Sequence, residues 1–177
     1  MSLLATLQSS DPIHIFYSVG ALIDLNTGSY IKGEKGDWIL CGGLAHITGI
    51  TGPGNSYKST ILHFFILTVL ERYKEATGAE YDTEGTLTLT RLQQLAAECA
   101  PELIENGTLL DISKFVLTDI TKYDGTQFWE IIKAMLKARE AGKEKKIKTP
   151  FMNPVTKQPI EVYAPFVCGI DSYSLFQ

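Results

Sequence analysis

Residues 52–59 read Gly52-Pro53-Gly54-Asn55-Ser56-Tyr57-Lys58-Ser59. The run meets the pattern G-x-x-x-x-G-K-[ST] at each fixed position except one, where Tyr57 stands in place of the second glycine. In that pattern successive backbone N–H groups of a compact loop point at the phosphates of a nucleotide, and small residues let the chain come close. A helix that starts at the loop adds its positive end to the same anion. The spacing assigns phosphate binding to Gly52, Pro53, Gly54, Asn55, Ser56, Tyr57, Lys58 and Ser59. Lys58 reaches the β- and γ-phosphates and the Ser59 hydroxyl holds Mg²⁺. The Tyr57 ring must then turn away from the phosphates.

The motif needs a strand before it and a helix after it. Asp37 to Gly49 reads as the first clear strand region, with Trp38-Ile39-Leu40-Cys41 pairing along it. Gly42-Gly43 breaks it and Leu44-Ala45-His46-Ile47-Thr48-Gly49-Ile50 resumes, a short apolar run entering a glycine-rich turn, which predicts a buried parallel strand. Ile61 to Leu70 is apolar on nearly every side and predicts a buried helix that runs through Tyr73 and stops at Thr77-Gly78. Further on, Ala79 to Gly85 reads as a short strand and its exit. Thr90 to Ala100 reads as a helix with Thr90 as N-cap and Leu92, Leu95, Ala96 and Cys99 inward. Phe115 to Thr118 predicts a strand. Thr126 to Ala141 predicts an amphipathic helix whose buried face holds Phe128, Ile131, Ile132, Met135 and Leu136. Phe166 to Ser172 predicts a last buried strand. This alternation of strand and helix indicates an α/β fold with a mostly parallel central sheet flanked by helices.

Two segments break the rhythm. Residues 1–36 form a lead-in of mixed character, and residues 143–165 read as a hairpin-like excursion around the turn Asn153-Pro154-Val155-Thr156. Residues 37–177 form the core between and around them.

Two acidic signals follow the loop. Ile170-Asp171 ends an apolar strand, as a carboxylate that supports Mg²⁺ would. Tyr81-Asp82-Thr83-Glu84-Gly85-Thr86 begins one helix after Lys58, which puts Glu84 at the C-terminal end of the neighbouring strand. Ligands of open α/β sheets bind at that edge, so Glu84 is placed to polarise water near a γ-phosphate. The alternative reading makes Asp82 and Glu84 solvated turn carboxylates.

Taken in this order, the phosphate loop, Tyr81-Asp82-Thr83-Glu84-Gly85-Thr86 and Ile170-Asp171-Ser172 resemble the RecA recombinase superfamily. The aromatic residue before Lys-Ser resembles the phage RecA/UvsX-type recombinases in particular. The resemblance spans residues 37–177 and implies a RecA-like P-loop NTPase core that stops after the Walker B strand. It implies ATP and Mg²⁺ as cofactors, nucleotide binding by Gly52 through Thr60, Glu84 and Lys58 as catalytic residues, and Ser59 and Asp171 as metal supports. It further implies self-association into a filament or ring, filaments on single-stranded DNA, homologous strand exchange, and a bacterial or phage-infected host cytoplasm. In that family the DNA-binding loops and the γ-phosphate sensor follow the Walker B strand, so this chain is expected to be weakly active alone. A hexameric helicase or another ATPase of the superfamily, and a non-catalytic nucleotide-binding fragment, are the alternatives.

The remaining features carry less chemistry. Cys41, Cys99 and Cys168 lie far apart and form no metal-ligand pair, which predicts small buried hydrophobes in a reducing compartment. His14, His46 and His63 are likewise read as structural. No apolar run reaches the roughly 18–20 residues of a membrane helix, and Met1-Ser-Leu-Leu lacks the basic start of a secretory signal. The net charge of −4 does not advertise nucleic acid. One basic cluster, Lys143, Lys145, Lys146 and Lys148 with Lys157, is flanked by Phe151 and Tyr163. It reads first as a solvated helix end, and otherwise as a contact to a DNA backbone or to the next subunit.

Overall fold

The computed structural model describes residues 16–44, 47–105, 108–109, 115–119, 124–138 and 146–171. His14, His46, Lys143, Lys145, Ser172 and the stretch starting at Asp11 lie outside the described residues. In chain order the elements are α1 (Ala21–Thr27), β1 (Ser29–Lys32), β2 (Trp38–Cys41), α2 (Lys58–Arg72), β3 (Thr77–Asp82) and α3 (Leu89–Cys99). Then come β4 (Ile104–Glu105), β5 (Thr108–Leu109), β6 (Phe115–Asp119), α4 (Gly125–Ala138), β7 (Lys146–Met152), β8 (Pro159–Tyr163) and β9 (Phe166–Asp171).

The chain divides into two compact units, residues 1–49 with 146–163, and residues 50–145 with 164–177. The sequence suggested a boundary near residue 36, but β1 pairs antiparallel with β2 across that point, Lys32 opposite Trp38. In this first unit the excursion is a hairpin, β7 against β8, whose turn is held by the Asn153 carboxamide oxygen accepting from the Val155 and Thr156 N–H groups. A bridge between Gly33 and Phe151 joins the hairpin to β1.

The second unit is α/β. Its small parallel sheet has the order β6-β3-β9, with Asp82 opposite Asp119 on one side and Asp171 on the other. Side chains alternate across a strand. On one face Ala79 and Tyr81 pack with Phe128, Ile131 and Ile132 of α4 and with Phe166 and Ile170. Phe128 is fully buried and meets Tyr81 edge-on at 5.5 Å, so the pair adds about 1 kcal/mol to the hydrophobic term. On the other face lies α2. A Cβ on Gly169 would fall 2.8 Å from Ile66 and 3.3 Å from Leu62, so glycine there lets the helix seat on β9. α3 packs outside α2 through Leu67, Leu92, Ala96 and Ala100.

Local chemistry fixes the helix ends. α2 stops at Arg72 because Tyr73 is extended, and Thr77-Gly78 opens β3 rather than ending the helix. Thr88, not Thr90, caps α3: its hydroxyl accepts from the Arg91 N–H at 3.2 Å. Asp124 and Gln127 cap α4 reciprocally, each side chain accepting from the other's backbone N–H at 2.8 and 3.1 Å. Leu136, expected on the buried face of α4, is exposed.

The expected strand before the phosphate loop does not form among the described residues. Leu44 makes an isolated antiparallel bridge with Tyr17, Ile47 is 93% exposed, and residues 48–57 carry no strand. Gly42 and Gly43 account for this. A Cβ on either would sit 2.0 Å from a backbone oxygen, that of Asp24 or of Tyr17. These close approaches draw the apolar run into the first unit.

Candidate nucleotide site at the sheet edge

The loop from Thr51 to Tyr57 turns tightly and delivers the chain into α2 at Lys58. Asn55 and Tyr57 are left-handed, with φ of 57° and 59°, while Ser56 between them is not. Alternating hand along successive residues turns their N–H groups toward one point, the arrangement called a nest, which binds anions. Tyr57 therefore takes the conformation that a glycine adopts without strain, and its ring is 77% exposed, turned out to solvent as expected. No side chain caps α2, so its first-turn N–H groups have no side-chain acceptor. Lys58 folds back over the loop, its Nζ donating to the Pro53 carbonyl at 2.7 Å, and the Ser56 hydroxyl donates to the same oxygen at 2.7 Å. At Gly52 a Cβ would lie 2.8 Å from Ser56 Oγ and 3.9 Å from Lys58 Cδ, so glycine leaves room for both. Ser59 and Thr60 are half-buried in the first turn of the helix.

Contacts along α2 set its direction over the sheet. Leu67 belongs to the cluster that Phe115 packs against, and Phe115 pairs with Gly78 near the start of β3. One turn earlier, His63 reaches Glu80. The helix therefore runs antiparallel to the strands. From His63 back to Ser59 it rises about 6 Å, and from Glu80 to Asp82 the strand advances about 6–7 Å. The loop and the C-terminal ends of β3 and β9 thus share one edge of the sheet, which is where ligands of parallel sheets bind.

Glu84 stands at that edge in the turn after β3. It is exposed, and its carboxylate makes no hydrogen bond or ion pair among the described residues. Its position is set by Asp82, which is buried rather than solvated. Asp82 Oδ1 accepts from the Glu84 and Gly85 N–H groups, both at 2.9 Å, and Oδ2 accepts from Leu87 N–H at 2.7 Å. Thr83 ties the turn to β9: its N–H and its hydroxyl both donate to the Asp171 carbonyl, at 2.7 and 2.8 Å. The backbone of Asp171 is thereby fixed, and its carboxylate is half-buried with no hydrogen bond among the described residues.

Two features escaped the sequence reading. The staple formed by Asp82 had a signal, an aspartate three residues before a glycine that turns with φ of 65°. The second had none: beneath the edge, His63 Nε2 lies 2.7 Å from Glu80 Oε1, both side chains are buried, and Glu80 Oε2 has no partner among the described residues. His63 is thus structural, as read. The cysteines differ from expectation. All are free thiols, but only Cys41 is buried; Cys99 is half-buried and Cys168 exposed. Although Cys168 as a residue is exposed, its thiol is pushed up to about 11, by burial first and by the Glu80 carboxylate second. Burial also raises the Tyr81 hydroxyl and the Cys41 and Cys99 thiols.

Among the described residues no group of three His, Cys, Asp or Glu side chains is placed to hold a metal ion, and no helix is long and apolar enough to cross a membrane. Compared with known protein families, curated proteins and solved structures, the chain matches none.

Proposed function

We propose that this chain is the ATP-binding core of a RecA/UvsX-like recombinase, acting in the cytoplasm, which binds ATP with Mg²⁺ and self-associates on single-stranded DNA to promote strand exchange. The observation that carries the nucleotide part is the left-handed Tyr57. The residue that breaks the motif adopts the backbone its glycine would supply and keeps its ring out of the loop. An anion held there meets the nest, the uncapped first turn of α2 and the Lys58 ammonium.

The residues fit such a group. Lys58 exchanges the Pro53 carbonyl for phosphate oxygens, a stronger acceptor for an ammonium. The Ser59 hydroxyl would hold Mg²⁺ and the Asp171 carboxylate would support it. The bound metal supplies charge neutralisation on the phosphates. Glu84, exposed at the same edge, takes the role of polarising the attacking water, and Asp82 positions it through the turn.

Titration with a fluorescent ATP analogue and Mg²⁺ tests the loop. Lys58→Ala is expected to abolish binding, and unchanged affinity would refute the assignment. Glu84→Gln is expected to bind normally and lose turnover; an unchanged rate removes Glu84 from its role. One observation favours a second reading, nucleotide binding without turnover: no strand leads into the loop among the described residues, so the loop lacks that support. Rapid ATP hydrolysis by the chain alone would exclude it.

A further inference from the structure

The first unit carries a sheet face that the nucleotide site does not use. In β1 and β2, Tyr30 and Lys32 stand opposite Leu40 and Trp38. Along β7 exposure alternates, with Lys146, Lys148 and Pro150 outward and Ile147, Thr149 and the buried Phe151 inward. On β8, Tyr163 pairs with Lys146 and Glu161 with Lys148. The Gly33–Phe151 bridge puts Phe151 on the inner side beside Ile39, since a Cβ on Gly33 would meet the Ile39 side chain. Neighbours of a bridged pair point the other way. β1–β2 and β7–β8 are separate two-stranded sheets joined by this bridge, and the β7–β8 register shifts between Lys148 and Met152. Exposure nevertheless keeps alternating along β7, so Lys32, Trp38, Lys146, Lys148 and Tyr163 all occupy outward positions of their ladders.

This face interleaves aromatic rings with ammonium groups. Tyr30, Trp38 and Tyr163 are 59%, 67% and 40% exposed. Lys32 Nζ lies 5.9 Å from the centre of the Trp38 ring, and Lys146 Nζ lies 5.5 Å from that of Tyr163. Around them, exposed Lys35 and Lys157 add positive charge, and Glu34, Asp37 and Glu161 are the exposed carboxylates of these strands and turns.

We infer that this face binds single-stranded nucleic acid, with Trp38 and Tyr163 stacking bases and Lys32, Lys146 and Lys148 meeting the phosphates. Every base offers a π-face to an aromatic ring, and the lysines supply the backbone's counter-charge. A duplex hides its base faces, so the rings select for a single strand. The inference rests on the DNA part of the reading above and not on its nucleotide part, because the face belongs to a unit other than that of the loop.

The test is a titration of fluorescein-labelled oligo(dT) with the whole chain, without nucleotide, followed by anisotropy. Binding is expected to weaken with salt and to exceed that of a duplex of the same length. Trp38→Ala and Tyr163→Ala are each expected to weaken it by about 5- to 100-fold, while Trp38→Phe retains most of it. Lys137→Ala, an exposed lysine on α4 in the other unit, is expected to leave it unchanged. Binding that ignores both aromatic substitutions, or equal affinity for duplex, overturns the site while leaving the recombinase reading standing. No binding to oligo(dT) with or without ATP overturns both.

Discussion

Replacing His63 by leucine tests what holds the phosphate-loop helix against the sheet. The Glu80 side chain is fully buried and, among the described residues, its Oε1 has the imidazole as partner at 2.7 Å and its Oε2 has none. Leucine fills most of the imidazole's volume, so the cavity contribution is small and the loss is that of a buried hydrogen bond. Removing one partner leaves the Glu80 carboxyl unsatisfied where water cannot reach it, which costs about 1–3 kcal/mol. In a domain of this size that lowers Tm by about 2–12 °C. Replacing both partners, as His63→Leu with Glu80→Leu, removes the unsatisfied group and is expected to return stability to within about 1 kcal/mol of the parent or above it. The two tryptophans fall in different units, Trp38 in the first and Trp129 in the second. In a Trp38→Phe background, urea unfolding followed by fluorescence therefore reports the unit that contains the pair. A His63→Leu cost below about 1 kcal/mol, or a double variant as unstable as the sum of the singles, would refute the argument.

Other positions yield sharper local tests. Asp82→Asn keeps an acceptor for Glu84 and Gly85 but turns an amide donor toward the Leu87 N–H, which is expected to cost about 1–3 kcal/mol and to speed amide exchange in that turn; unchanged exchange would show that Asp82 is not the staple. Tyr57→Gly relieves about 1–2 kcal/mol of left-handed strain against about 0.5–1 kcal/mol of added chain entropy, so a net gain of up to about 1.5 kcal/mol is expected in the same unfolding assay. A loss would mean that the ring has a packing role. At Cys168 the thiol is raised from an ordinary 9.0 to about 11, so it stays protonated in the folded chain where the unfolded chain has begun to ionise. Its contribution to stability is present below pH 9 and is lost as pH climbs toward about 11. Its alkylation by iodoacetamide is expected to be slow at pH 8 and to rise with a midpoint well above that of a free thiol. A profile matching free cysteine would refute the shift.

What the sequence disclosed, and what it hid, divides along the reach of the interactions. The tight turn that delivers the chain into a helix at Lys58 was legible because its glycines and its spacing lie within a few residues of one another. The inward positions Phe128, Ile131 and Ile132 were legible because a helical period repeats locally. Asp171 at the end of β9 was legible for the same reason, as the last residue of an apolar run. Leu44 to Ile50 misled because its apolar residues say how buried a strand would be, not which backbone competes for it. The close approaches of Gly42 and Gly43 to Asp24 and Tyr17 join residues some 20 positions apart, and no local pattern reports them. Phe151 and Tyr163 looked equivalent beside the lysines, yet pairing in the hairpin and the bridge to Gly33 bury one and expose the other. The same limit governs the carboxylates. Asp82 and Glu84 are two letters apart and chemically alike, but Asp82 accepts from three backbone donors and Glu84 from none among the described residues. A composition argument treats them as interchangeable; hydrogen-bond accounting makes Asp82 the brace of the turn and leaves the Glu84 side chain exposed at the sheet edge.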